Sequence, residues 1–513
     1  MTSNGVFWLD TPKQAKAGKI SSDLELDVAI VGGGMVGLNC AYLLGQTGLD
    51  VGVFEARRIG RQATGKSTAK ITSQHGAKYR SLLKDFGSDG ARLYADANQR
   101  AVSGIAELCN SLPDKAAIER RDAYVFARTP KEADDLRDEA EVAAELGLPA
   151  AFVSDAGLPF PVEGALKFSA QYQFDPYLYL TGLAELLRGN GCHVHQDSRV
   201  EDIVADGVAD PLVLRVDGHT VRARFAVVAT QMPIIGDGLF YARAFPLAHP
   251  VAAVRMPADL QLDGMYLSAG QPSISIRTAK RREDDYLIVA GPEFRPGEPG
   301  GQADAVDQTL AFFDRTLEAG QPTHLWINED FRSMDGVPFI GPATDDKPNL
   351  LVATGFGAWG ITQGYVAAEV LAHRILGKEH ACRDLFDATR IKPVTGGPSF
   401  LAENVKTAVH LVGDRYLGGK TVELDAIEPG QGGVIKHDGE LLAVRRGEDG
   451  GLTALSASCT HLGCTVDWNA VDRTWDCPCH GSRFEENGEV LSGPAKARLP
   501  ARELASGKKK VTV

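Results

Sequence analysis

The chain has 513 residues, 44% of them hydrophobic and 24% charged, with a net charge of −13. That composition is ordinary for globular protein, the length suits several domains of about 150 residues each, and the acidic balance argues against a nucleic-acid partner. Eight cysteines, four of them crowded between residues 459 and 479, do not make a secreted disulfide scaffold.

The first residues, MTSNGVFWLDTPKQ, carry no signal-peptide pattern. Two uncharged runs, 28–49 and 349–368, have the length of a membrane span. Both are glycine-rich and fit cofactor-binding patterns, so no transmembrane helix and a cytoplasmic location are expected.

Asp27–Val31 is a short apolar, β-branched run and reads as a buried strand. Gly32-Gly-Gly34-Met-Val-Gly37 follows at once, then a helix over Leu38–Gly48 and a second strand, Val51–Phe54, ending in Glu55. Strand, G-x-G-x-x-G, helix, strand and acid at this spacing form a dinucleotide fingerprint. Its glycines admit a pyrophosphate to the helix N-terminus, and its acid holds a ribose. FAD and NAD both use this turn. A tight strand–helix turn without a ligand is the competing reading.

Residues 60–76, GRQATGKSTAKITSQHG, are small and polar. Residues 78–150 read as mainly helical, with apolar periodicity over Ala91–Leu108 and Lys131–Leu146. Phe225–Thr230 reads as a strand, as do Val251–Arg255, Ser273–Arg277 and Asp285–Ala290. Near the end of this region the strand Leu350–Thr354 runs into a second glycine-rich turn, Gly355-Phe-Gly357-Ala-Trp-Gly360, and a helix from Thr362 to Leu376. The free N–H groups of that helix start suit an electron-rich ring edge.

Together these segments, over roughly residues 24–385, resemble the D-amino-acid oxidase and glycine/sarcosine oxidase superfamily of FAD-dependent amine oxidoreductases. The resemblance implies that Gly32, Gly34, Gly37 and Glu55 hold the ADP half of FAD. It puts Thr64 and Ser67 beside the phosphates and flavin, the Val200 backbone at adenine, and Gly355, Gly357, Gly360 and Thr362 near the isoalloxazine. Gln231 departs from the pattern where a glycine is usual. The implied fold is a Rossmann-like α/β FAD-binding domain (about 24–77, 151–244 and 331–387) with an interleaved α+β substrate domain (about 78–150 and 245–330). Arg277, Tyr124 and His75 are candidate pocket residues, each with a structural alternative. His75 also matches the place where some relatives attach flavin covalently, although the loop around it differs.

Residues 388–407, dense in Pro and Gly, read as a linker. Beyond it, over 408–513, short strands at Thr421–Ile427, Gly433–His437, Leu441–Arg445 and Leu452–Ser456 read as a small all-β domain. Its loops carry Cys459-Thr-His461-Leu-Gly-Cys464 and, twelve residues on, Cys477-Pro-Cys479-His480-Gly-Ser482. Each box supplies one thiol and one imidazole as metal ligands. Cys459 and Cys477 on one iron with His461 and His480 on the other is the Rieske 2Fe–2S arrangement, and tetrahedral zinc is the competing reading.

The boxes, CTHLGC and CPCHGS, resemble the Rieske iron–sulfur family, in particular the disulfide-bearing type of respiratory and photosynthetic complexes. That resemblance implies a Cys464–Cys479 bridge and a Ser482 hydroxyl on a bridging sulfide. Phe484 stands where high-potential members have Tyr, which implies a middling potential within about −150 to +300 mV. The terminal Lys508-Lys509-Lys510 reads as a solvated end.

A two-electron flavin beside a one-electron cluster suits a dehydrogenase for a small amine, amino acid or imino acid, with a ferredoxin-like or cytochrome-like protein as acceptor. The alternative is reverse flow, from a ferredoxin-like donor through the cluster to a flavin acting as reductase or monooxygenase. A Rieske oxygenase needs a two-His-one-carboxylate iron site, and no such spacing occurs. A sensing or binding role for the cluster domain is the remaining alternative.

Overall fold

The computed structural model describes residues 3–10, 18–204, 211–391, 403–405 and 421–504. Among these residues the chain forms an eight-stranded sheet, a ten-stranded sheet, and two small antiparallel sheets near the C-terminus.

The eight-stranded sheet is built on β1 (Leu24–Val31). Val28 and Ile30 enter one core, Ala29 and Val31 another, so the strand is buried on both faces. That is why it reads as a continuous apolar run rather than an alternating one. Helix α1 (Met35–Gly45) follows, and β2 (Val51–Phe54) pairs parallel to β1. The helix starts and ends three residues earlier than expected, because the chain turns helical directly after Gly34.

β3 (His219–Val228) lies parallel on the other side of β1. Two further long strands, β4 (Ala244–Arg255) and β5 (His324–Ser333), pair antiparallel in the ten-stranded sheet. β6 (Leu350–Thr354) returns to the first sheet beside β3, and α2 (Thr362–Ile375) packs on α1.

The segment 78–150 holds the expected helices, at Tyr79–Ser111 and Pro130–Glu145, and also a strand, Glu119–Ala127, between them. Residues 151–244 divide between the two sheets. Gly164–Gln173 pairs with Glu119–Ala127 in the ten-stranded sheet, and the nucleotide-side elements resume with the helix Pro176–Gly189.

In the C-terminal region the strands Gly432–His437, Glu440–Arg446 and Leu452–Ser456 form one meander. The expected strand 421–427 is instead a short 3-10 turn, Leu424–Ala426. Val422 N donates to Val434 O at 2.8 Å, but Pro429-Gly430 turns the chain away from the ladder. The second small sheet ends on an edge strand, β7 (Val490–Ser492). Most of the expected linker 388–407 and the Lys508–Lys510 end lie outside the described residues. No helix among the described residues is long and apolar enough to cross a membrane.

Candidate functional site

One cavity opens where β1, β2 and β3 end. A Cβ on Gly37 would stand 1.9 Å from Gly32 O, and one on Gly32 would stand 2.5 Å from Ala229 O. Strand, helix and neighbouring strand approach this closely only because both positions are glycine. Glu55 closes the turn: Gly33 N donates to its Oε2 at 2.9 Å and Arg57 N to its Oε1 at 3.0 Å. Burial pushes the Glu55 carboxyl up, against these bonds and the charges of Arg199 and Arg57.

Of the residues singled out from sequence, Gly32, Gly34, Glu55, Thr64, Ser67, Val200 and Gly360 line this cavity. Gly37, Gly355, Gly357 and Thr362 are not among its lining residues. Gly357 N donates to Phe331 O at 2.8 Å, fixing the second turn to β5, and Thr362 Oγ1 donates to Thr72 O at 3.1 Å. Arg58, Arg199, Asn328 and Asp330 also line the cavity and were not singled out. Asn328 Oδ1 is buried there with no partner among the described residues, an acceptor left for a ligand's donor.

The catalytic candidates do not line it. Arg277 is fully committed to structure: it donates to the carbonyls of Thr68, Ala69, Phe174 and Thr278 at 2.7–3.0 Å. Tyr124 stacks on Tyr266 at 5.3 Å in the far half of the ten-stranded sheet. His75 is buried, with Nδ1 at 2.7 Å from Tyr94 Oη and Nε2 at 2.9 Å from Thr362 Oγ1. Its ring stacks on Trp359 at 4.8 Å. Both nitrogens are engaged within the protein.

The second centre lies in the two C-terminal loops. Cys459, Cys477 and His480 are buried, and the rings of His461 and His480 meet edge to face at 4.9 Å and 88°. His461 Nδ1 is buried without a partner among the described residues. Burial lowers the pKa of both imidazoles, that of His480 to about 3 with help from the His461 and Arg295 charges. Neutral rings with a free nitrogen are what a metal requires. The Cys459 and Cys477 thiols are free and hydrogen-bonded to each other, and the Ser482 hydroxyl is hydrogen-bonded to the Cys459 sulfur. Cys464 and Cys479 form a disulfide with Cα atoms 6.4 Å apart, and Cys477 Sγ lies within 4.8 Å of both bridged sulfurs. Two thiols, two neutral imidazoles and a hydroxyl at one spot fit a 2Fe–2S cluster.

Strand β5 separates the two centres. Side chains alternate across a strand. Asn328 and Asp330 line the nucleotide cavity. From the opposite face Glu329 Oε1 and the Phe331 ring approach Gly481, where a Cβ would lie 2.8 and 2.7 Å from them. Gly481 directly follows His480, so the loop reaches β5 only without a side chain. Tyr241 packs edge-on against His461 and His480, at 4.9 and 5.2 Å.

Buried charges hold this arrangement. Asp472 takes Lys66 Nζ at 2.5 Å, Arg483 Nη2 at 2.9 Å and Ile327 N at 3.1 Å. Burial alone would raise the Asp472 pKa, and the two cations outweigh it and hold it near 2. Arg295 donates to Pro478 O at 2.5 Å and Cys479 O at 3.2 Å.

Residues 27–374 match the DAO family, FAD dependent oxidoreductase. The chain belongs to that family. Residues 419–503 match the Rieske 2Fe–2S domain, so this DAO-family member binds FAD in its larger part and a 2Fe–2S cluster in its C-terminal part. With that match the zinc reading falls.

A putative Rieske 2Fe–2S iron–sulfur protein of Bacillus subtilis, YhfW, is 31% identical over 97% of both chains. The iron–sulfur subunit of the cytochrome b6-f complex of Chlorobaculum thiosulfatiphilum is 47% identical over 11% of this chain and 31% of its own. Glycine oxidase from Geobacillus kaustophilus shares the fold of the larger part, with a TM-score of 0.61 and 20% identity over 72% of this chain and 99% of its own.

Several residues of the DAO–Rieske junction escaped sequence reasoning. Asn328, Glu329 and Asp330 form a polar run between the apolar residues 325–327 and Phe331 of a mostly buried strand, a signal that could have found them. Tyr241 and Lys66 meet partners more than 200 residues away and carry no local signal.

Proposed function

We propose that the chain oxidises the C–N bond of a small amine, amino acid or imino acid, and that the electrons leave one at a time through the C-terminal domain to a ferredoxin-like or cytochrome-like protein. In this reading it is a dehydrogenase rather than an oxygen-reducing oxidase. The observation that carries it is the division of β5, with Asn328 and Asp330 on the FAD cavity and Glu329 and Phe331 against the loop of His480. A single strand between two redox centres suits transfer within one chain.

Bound FAD supplies hydride acceptance, and a bound Rieske cluster supplies one-electron carriage. In this reading Cys459 and Cys477 hold one iron, and His461 and His480 hold the other. Gly32, Gly34, Glu55, Thr64, Ser67, Val200 and Gly360 surround FAD. Asp330 fixes the turn beside the cavity, accepting from Ala358 N at 2.6 Å. Residues 1–387 form the oxidoreductase unit, 388–407 the linker and 408–513 the cluster domain.

The test is anaerobic mixing with secondary amines, N-methyl amino acids and D-amino acids. Flavin bleaching and the electron paramagnetic resonance signal of the reduced cluster are read in the same samples. Bleaching together with the signal is the expected result and names the substrate class. Bleaching without the signal removes the cluster from the path. Failure of every amine, with the cluster reducible by a ferredoxin, reverses the direction.

A further inference from the structure

The nucleotide cavity is not closed by the oxidoreductase part alone. Leu491, Ser492 and Gly493 of the Rieske domain line it together with Glu55, Arg199 and Val200. They come from edge strand β7 and the residue after it. Two guanidinium groups of the oxidoreductase part hold that strand: Arg57 Nη2 and Arg199 Nη2 donate to Val490 O at 3.1 and 2.9 Å. Arg57 also pairs with Glu485 on the neighbouring strand. At Gly493 a Cβ would stand 3.1 Å from Ile234 Cγ2, so the backbone there is seated directly on the oxidoreductase part.

Ser492 Oγ is shut off from solvent and meets no hydrogen-bond partner among the described residues. A buried hydroxyl left unsatisfied is costly, and native structures rarely keep one without a ligand or water to meet it. The cavity offers that ligand. In a strand–G-x-G-x-x-G–helix–strand–acid unit the acid meets the ribose, so the Glu55 end of the cavity takes the adenosine half of a dinucleotide.

We propose that the Rieske domain forms one wall of the FAD site, with Ser492 hydrogen-bonded to the adenosine half of the cofactor, and that its docking retains FAD. The Rieske domain is then part of the flavin site as well as its electron partner. The inference stands whatever the substrate and whichever way electrons flow.

The test uses the full-length holoprotein. FAD release after dilution is followed by the rise of free-flavin fluorescence, and the cluster's paramagnetic signal checks that each variant keeps its C-terminal domain. Ser492→Ala is expected to release FAD about three- to tenfold faster, the loss of one hydrogen bond. Ser492→Thr, which keeps a hydroxyl, is expected to recover most of the difference. Glu485→Gln, which frees Arg57 without adding bulk, is also expected to release FAD faster. ADP, tested as a competitor of FAD on apoprotein, should lose affinity for Ser492→Ala by a similar factor. Release rates within twofold of wild type in both Ser492→Ala and Glu485→Gln, with the cluster intact, overturn the proposal. Faster FAD release with unchanged ADP affinity overturns the assignment to the adenosine half.

Discussion

Gly37 and His480 each shape one of the two sites, and they act in opposite ways. Gly37 works through what it lacks: its bare Cα lets α1 close on Gly32 O, and the cavity is shaped by backbone from many segments. His480 works through what it carries, an imidazole kept neutral by burial and presented by a loop of a few residues. The backbone-built turn at Gly37 should therefore be intolerant of bulk, with single side chains around the cavity making smaller contributions. The side-chain-built site should be tunable one group at a time. Between them lies an interface held by a few buried charges, and its stability should depend on pH.

The largest expected effect is at Gly37. Gly37→Val puts a side chain against a backbone oxygen that cannot move away. The variant is expected to purify without flavin while the C-terminal cysteines still take up their cluster, read by absorbance and paramagnetic resonance. Retention of FAD would break the contrast.

Next comes Asp472, between Lys66 and Arg483. Its folded pKa is depressed, so its contribution is complete above the ordinary carboxylate value of about 3.9 and fades as pH falls towards about 2. Asp472→Asn is expected to lower stability by on the order of 3 kcal/mol at pH 7, because it leaves Lys66 without its carboxylate and Arg483 with Asp476 as its remaining ion-pair partner. In thermal melts the gap from wild type should hold down to about pH 4 and close below it. A gap that widens on acidification would contradict this sign.

A smaller effect is expected at Phe484, which is fully buried beside the cluster loops. Phe484→Tyr adds one donor. If the hydroxyl reaches a cluster sulfur, the potential rises by about 40 mV, the equivalent of one hydrogen bond of about 1 kcal/mol. A fall in potential on redox titration would contradict it. The smallest effect belongs to Lys496, whose pair with Asp202 is about half exposed on both sides. Lys496→Ala should change stability by less than about 0.5 kcal/mol. A larger loss would mean that surface charges, not the buried ones, hold the domains together.

The same contrast explains what the sequence discloses. The Gly32–Glu55 unit and the two Cys–His boxes are local in the chain, so their spacing alone announces them. Arg277 reads in the sequence as a candidate pocket residue with a structural alternative. Its actual partners are carbonyls at residues 68, 69 and 174, which no periodicity brings to its side. Lys66 and Asp472 lie 406 residues apart, and a single ion pair leaves no pattern. Alternation along β5 is readable, but which face meets the flavin cavity depends on how the sheets pack. Ser492 belongs to a third class: an unremarkable serine on a short strand, given meaning only by the cavity it closes.

The proposed electron path runs between two centres held as a fixed pair across β5. Its most direct test is to photoreduce the flavin anaerobically and follow the cluster's paramagnetic signal in rapidly frozen samples, across a range of protein concentrations and in added glycerol. With the two centres fixed, the cluster is reduced at a rate independent of both concentration and viscosity. A cluster that stays oxidised while the flavin is reduced, or a rate that scales with concentration or falls with viscosity, would contradict it.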